Sequence, residues 1–151
     1  MCFYFDFAAR HEQSPVNMLG SLLRQLVSGQ REIPDVIVEE FRKERSIGGR
    51  GLQVSGISKV FQAIAATRRT FIFVDALDEC LPEHRMVVLK SLGQMLQGSP
   101  DTRLFMTGRP HVRSEVEREL GGGQPFYLSR LQKMGSLDFF TRNSGRTPSQ
   151  I

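Results

Sequence analysis

Three carboxylates follow a short apolar run near the middle of the chain, and they are the side chains best suited to chemistry. The run from Phe71 to Val74 leads into Asp75, and Asp78 and Glu79 follow closely. A run this short, flanked by charge, is typical of a strand buried on both faces of a parallel sheet. Open α/β sheets bind ligands at the carboxyl ends of their strands. There, one acid can hold magnesium and another can face a phosphate.

A simpler interpretation of these acids is a polar turn that begins a helix, because acids stabilise helix N-termini. That interpretation would be preferred for a single aspartate after a strand. Three acids behind a strongly apolar strand favour a phosphate-handling site instead.

The surrounding elements are predicted from hydrophobic periodicity and from turn residues. Alternation predicts a strand from Cys2 to Phe7, with Phe3, Phe5 and Phe7 on one side. Apolar spacing, with proline and glycine as boundary signals, predicts helices over 15–28, 34–45, 57–64, 82–97 and 111–120. Further strands are predicted over 70–75, 103–107 and 126–128. This alternation predicts an α/β fold with a parallel sheet flanked by helices.

Composition places the chain among ordinary globular domains. Its 151 residues are 40% apolar and 24% charged, which suits one domain with a core. There is no apolar run of membrane-spanning length and no signal peptide, so we expect a cytoplasmic location and no membrane contact. Cys2 and Cys80 form no disulfide framework, and the histidines lack zinc-ligand spacing. The net charge of +4 is spread among acids without an aromatic pattern, which argues against nucleic-acid binding.

Three segments carry a resemblance to a known family. The segments Phe3–Phe7, Phe71–Cys80 and Phe105–Pro110 resemble, in type and order, motifs of the NACHT-type P-loop NTPases. The chain is most similar to fungal signal-transduction ATPases of the STAND class that have a nephrocystin-like N-terminal NACHT domain. The likeness covers about Cys2 to Leu120, and its most specific part is the Walker B segment that ends at the acids.

The resemblance implies a role for each candidate residue. Asp75 would hold Mg²⁺ through water, and Asp78 and Glu79 would polarise the attacking water, with Glu79 preferred as the base. Arg109 would be a sensor arginine that reaches the γ-phosphate from the end of the next strand. Magnesium and either ATP or GTP are the implied cofactors, and strand ends hold such groups rigidly enough for phosphoryl transfer.

The chain also departs from this family. No Gly-Lys-Ser or Gly-Lys-Thr sequence occurs in it, so the phosphate loop and the strand before it are expected to be missing ahead of Phe3. The predicted fold is therefore an incomplete P-loop-like sheet, with an unpaired and aggregation-prone edge along Leu104–Thr107. We divide the chain into a partial NTPase domain over 1–128 and a divergent, partly disordered tail over 129–151, with a weak helix over 134–140.

Two functional hypotheses follow. In the first, the chain is part of an NTP-hydrolysing switch and binds nucleotide only when an upstream phosphate loop completes it. In the second, it is a non-enzymatic remnant or interaction module that associates with itself or with other NACHT-type proteins. In both, the isolated chain is expected to bind no cofactor and to hydrolyse no nucleotide.

Overall fold

The structure is a computed structural model that describes residues 1–121 in full and the backbone alone of residues 126–130 and 139–141. These residues form five α helices and five strands. The strands are β1 (Cys2–Tyr4), β2 (Thr70–Asp75), β3 (Thr102–Gly108), β4 (Phe126–Arg130) and β5 (Phe139–Thr141). The helices are α1 (Pro15–Ser28), α2 (Asp35–Ser46), α3 (Val54–Ala65), α4 (Pro82–Gln97) and α5 (Arg113–Leu120). The α/β class and the five main helices are confirmed.

The strands form one sheet in the order β1-β2-β3-β4-β5. The pairs β1–β2, β2–β3 and β3–β4 are parallel, whereas β5 runs antiparallel to β4. Phe3 lies opposite Val74, and Val74 lies opposite Met106. The carboxyl ends of the first three strands therefore meet at one edge of the sheet.

Helix α1 shows how local sequence signals define an element. The Ser14 side chain accepts a hydrogen bond from the Asn17 backbone N–H at 3.3 Å, and Pro15 occupies the first turn. Four leucines then recur at helical spacing and are buried: Leu19, Leu22, Leu23 and Leu26. Because that stripe faces the core, α1 packs against α3 and α4.

The helices form a layer on one face of the sheet, and alternate residues of β2 and β3 are buried on that face only. In β2, Ile72 and Val74 are buried, whereas Phe71 and Phe73 remain 43% and 46% exposed. The prediction that this strand is buried on both faces is therefore wrong. Phe73 instead stacks on Phe105 of β3, with the ring centroids 4.9 Å apart.

The first strand is shorter than predicted. β1 ends at Tyr4, and Asp6 then caps a short 3₁₀ helix over Phe7–Ala9 by accepting a hydrogen bond from the Ala8 N–H. Phe5 is fully buried while Phe7 is exposed. The prediction that both lie on one side of a continuous strand fails because the capping aspartate turns the chain.

The predicted unpaired edge along Leu104–Thr107 is also wrong. β3 pairs with β2 on one side and with β4 on the other, in a register that places Leu104 opposite Phe126. The predicted domain boundary after residue 128 falls inside β4 and stays a prediction.

Most of the predicted tail, including 131–138 and the region 143–151 expected to be disordered, lies outside the described residues. The predicted helix over 134–140 is wrong at its end, because Phe139 begins β5.

Candidate functional site

Asp75 ends β2 and is held there by a neighbour in β3. The Thr107 hydroxyl donates to Asp75 Oδ1 and accepts a hydrogen bond of 3.0 Å from the Ala76 N–H. Ala76 itself has a left-handed backbone with φ of 54°, which a residue with a Cβ adopts at a cost. This turn ends the strand abruptly and starts a 3₁₀ helix over Leu77–Glu79. One carboxylate oxygen of Asp75 is therefore held in place. The turn also places Asp78 and Glu79 close to the carboxyl end of β2, beside Asp75.

Asp78 is bound by the segment that follows β3. Its Oδ1 accepts a hydrogen bond of 3.2 Å from the Arg109 backbone N–H, and its Oδ2 lies 3.1 Å from Arg109 Nε. A Cβ at Gly108 would come within 3.0 Å of Val112 and 3.6 Å of Asp78. Glycine thus allows the two turns to approach closely. The Asp78 side chain is only 4% exposed, with both oxygens occupied by Arg109.

Glu79 lies in a more open position than Asp78. Its side chain is 22% exposed, and its one described ion pair is a long 3.5 Å contact with the Arg109 guanidinium. The Arg109 side chain is itself largely exposed. The two acids that the sequence could not distinguish thus have different environments.

The four predicted site residues line one cavity of about 360 Å³ at the carboxyl ends of β1, β2 and β3. The other lining residues are Tyr4, Asp6, Phe7 and Ala76. Asp6 adds a carboxylate that the sequence interpretation had not assigned to the site. The structure brings together every predicted site residue.

A buried arginine, Arg85, connects the segment that follows the acids to helix α5. Arg85 of α4 donates to the Cys80 carbonyl at 3.1 Å and forms a bidentate pair with Glu115 of α5 at 2.7 and 3.0 Å. The hydrogen bond from Arg85 lowers the pKa of Glu115. Burial raises the pKa of the Cys80 thiol to about 11. Arg85 therefore ties the segment after the acids to the helix that follows Arg109.

Thr107 and Asp6 are the site residues that sequence analysis missed. A signal for Thr107 was available in the sequence, because the predicted strands over 70–75 and 103–107 end at Asp75 and Thr107, and the carboxyl ends of adjacent parallel strands meet. The sequence offered no such signal for Asp6, because the predicted strand ran to Phe7 and placed Asp6 inside it, whereas β1 ends at Tyr4 in the structure.

Comparison with known proteins identifies the family. The model of the family described as "Nephrocystin 3, N-terminal" matches residues 1–109. The chain belongs to this nephrocystin 3 N-terminal family. The matched range contains β1, β2 and β3 and ends at Arg109, so all predicted site residues fall within it. No curated protein and no solved structure gives a significant match to the chain.

The donor set of this nephrocystin 3 N-terminal domain limits how it could hold a metal. Among the described residues there is no group of three or more histidine, cysteine or acidic side chains arranged to bind an ion. Asp75 offers one free carboxylate oxygen, since Thr107 engages the other. Such a donor fits Mg²⁺ that is held mainly by water and phosphate oxygens, because Mg²⁺ retains much of its hydration shell. It does not fit an ion held by protein alone.

None of the helices in the described part of the chain is long and apolar enough to cross a membrane.

Proposed function

We propose that this domain is part of a NACHT-type P-loop NTPase of the STAND class, a cytoplasmic switch that hydrolyses ATP or GTP. The observation that carries the proposal is the convergence of Asp75, Asp78, Glu79 and Arg109 on one cavity at the carboxyl ends of parallel strands. Ligands of open α/β sheets bind at this edge. Phosphoryl transfer depends on charge stabilisation and water positioning, which these residue types supply.

Asp75 is proposed to hold Mg²⁺ through water at the end of β2. Thr107 engages one of its oxygens, and Asp75 lines the cavity, so the second oxygen is left for the ion. When bound, the ion would neutralise charge on the phosphates. The role of the protein is to keep one hard oxygen donor at a defined position beside them.

Glu79 is proposed as the group that orients and deprotonates the attacking water, and Asp78 as its positioning partner. Both oxygens of Asp78 are already occupied by Arg109, and its side chain is almost fully buried. Glu79 has one long contact and is more exposed. A general base must have an oxygen free to accept a proton from water, which favours Glu79.

Arg109 is proposed to stabilise the γ-phosphate. Its backbone N–H and its Nε are both bound by Asp78, whereas its Nη2 makes the long 3.5 Å contact with Glu79, and the side chain is largely exposed. A phosphate that enters the cavity could replace Glu79 as the partner of Nη2, while Asp78 continues to hold the backbone and Nε. Arginine in such a position can contribute a large rate factor.

The chain lacks the Gly-Lys-Ser/Thr sequence of a phosphate loop, so nucleotide binding requires that loop from another segment. The alternative function is a non-enzymatic module that binds itself or other NACHT-type proteins. One observation favours the alternative: β4 pairs directly with β3, at the position where the family resemblance predicted an additional strand.

The test has two arms. The 151-residue chain is expected to show no magnesium-dependent hydrolysis of ATP or GTP, and turnover that disappears in Asp75→Asn would contradict this. The second arm expresses the longest reading frame recovered from the transcript. If that frame contains a phosphate loop, we expect hydrolysis that falls at least about hundredfold in Asp75→Asn and Glu79→Gln.

Asp101→Asn is the matched control, because this exposed acid lies at the amino end of β3, away from the cavity. Glu79→Gln should retain nucleotide binding while losing turnover. If the longest frame adds no such loop, or if its product carries the loop and still neither binds nor hydrolyses nucleotide, the NTPase proposal fails and the interaction module remains.

A further inference from the structure

A groove runs between α1 and α2, and none of its lining residues belongs to the acidic cavity. It consists of two adjoining cavities of about 730 and 590 Å³. Both are lined by Ile33, Ile37 and Phe41, which connect them into one surface. Leu23 of α1 and Leu52 contribute further apolar lining.

The groove exists because α2 packs against α3 rather than α1. Glu40 of α2 is buried and accepts from Lys59 of α3 at 2.7 Å, an ion pair that lowers the pKa of Glu40. This contact turns one face of α2 inward.

Ile33, which precedes α2, forms an apolar stripe along the groove with Ile37 and Phe41 of α2. Ile37 is buried, but Ile33 remains 65% and Phe41 44% exposed. The fold of the chain therefore buries only part of this stripe and leaves the rest exposed to solvent.

Arginines surround this apolar stripe. Arg24, Arg42, Arg45 and Arg50 line the groove, against a single acid, Glu44. None of these four arginines forms an ion pair with any described residue. An apolar floor with unpaired cationic sides favours a ligand that is apolar on one face and acidic on its flanks.

We propose that this groove binds an acidic amphipathic helix of a partner protein. Apolar residues of that helix at i, i+3 or i+4, and i+7 would cover Ile33 and Phe41, and its flanking carboxylates would pair with the arginines. This is the helix-in-groove mode of peptide recognition. The proposal uses neither Asp75 nor nucleotide, so it stands independently of the NTPase function.

Other occupants fit less well. One alternative occupant is a segment of this chain outside the described residues (122–125, 131–138 and 142–151). Those segments carry three basic residues, Lys133, Arg142 and Arg146, and one acid, Asp138. Their charge has the wrong sign. A second copy that presented the same surface across a two-fold axis would place arginines against arginines.

A displayed library of random peptides of about 14 residues, selected on the intact chain, tests the proposal. We expect the enriched sequences to combine apolar residues at i, i+3 or i+4, and i+7 with Glu or Asp between them. Enrichment should be lost on Phe41→Asp and on Ile33→Asp. It should be retained on Val87→Asp, which changes a similarly exposed apolar residue of α4 outside the groove.

The charge requirement has its own measurement. Affinity of an enriched peptide, measured by fluorescence anisotropy, is expected to fall roughly tenfold in Arg42→Glu/Arg50→Glu and with rising salt. Lys90→Glu, an exposed residue of α4 outside the groove, should leave it unchanged.

Three results would overturn the proposal. These are no enrichment above background, enriched peptides without acids, and equal binding to the groove and control variants. Unfolding curves of Ile33→Asp and Phe41→Asp that match wild type will show that these variants act on binding. Ile33→Asp is the less disruptive of the two, because Ile33 precedes α2 and its side chain is the more exposed.

Discussion

The two faces of the central sheet differ in what covers them, although the same strands form both. On the helix-covered face, Ile72 and Leu104 are fully buried. On the other face, Phe71 and Phe73 alternate with those core residues along β2 and are nearly half exposed. Neighbours of similar hydrophobicity therefore have opposite environments. The comparison teaches that an apolar run specifies a strand, whereas burial depends on which elements elsewhere in the chain pack against each face.

The largest expected effect comes from shortening one side chain on each face. Ile72→Ala removes fully buried methylenes and leaves a cavity, so it should lower the free energy of unfolding by about 3 kcal/mol. Phe71→Ala, one residue earlier, should cost less than about 1 kcal/mol because the ring is already partly hydrated. Urea denaturation measures both. Equal losses would show that the two faces are equally packed.

The two cysteines report on the same difference by reactivity. Cys2 is exposed, whereas Cys80 is buried and its pKa is raised to about 11 by desolvation. Because the thiolate is the nucleophile, Cys2 should react with a disulfide reagent at pH 8 at least roughly a hundredfold faster than Cys80. The reaction is followed by the absorbance of the thiol that the reagent releases. Cys2→Ser should remove the fast phase. If both thiols of the native protein react in the fast phase, Cys80 is accessible to the reagent and the proposed difference is wrong.

The smallest expected effect concerns the ion pair inside the helical layer. Glu115→Gln leaves the buried Arg85 guanidinium unpaired and should cost about 2 kcal/mol near pH 7. Since Arg85 lowers the pKa of Glu115 below its ordinary value of 4.5, the stabilisation is complete above that value. It is lost as the pH falls through the lower folded-state pKa.

The difference between wild type and Glu115→Gln should therefore shrink in acid, as measured by denaturation at several pH values. Glu117→Gln is the control. It removes an exposed pair with Arg113 and should change stability by less than about 0.5 kcal/mol. A gap that stays constant with pH would contradict the ionic origin of the effect.

Sequence patterns predicted the elements well because their signals are local. Helix α1 begins at the Ser14 cap and ends before Gly29, as its spacing and boundary residues predicted. The same local signals placed Asp75 at the end of β2 and Arg109 after β3, and the parallel register brought both to one edge.

Properties that depend on distant contacts were not predictable in this way. The pairing of β3 with β4 and the exposure of Phe71 both depend on how distant segments pack. The different environments of Asp78 and Glu79 depend on a hydrogen bond from Arg109 across 31 residues of sequence. Neighbouring acids look equivalent in a sequence, and only the fold distinguishes them.

The open aromatic face has a thermodynamic consequence. Any molecule that covers Phe71 and Phe73 in the folded chain, and does not bind the unfolded chain, raises the free energy of unfolding by an amount that grows with the logarithm of its concentration. The melting temperature of this domain should therefore rise with the concentration of any such ligand. A melting temperature that increases with protein concentration would show that the folded chain is stabilised by self-association.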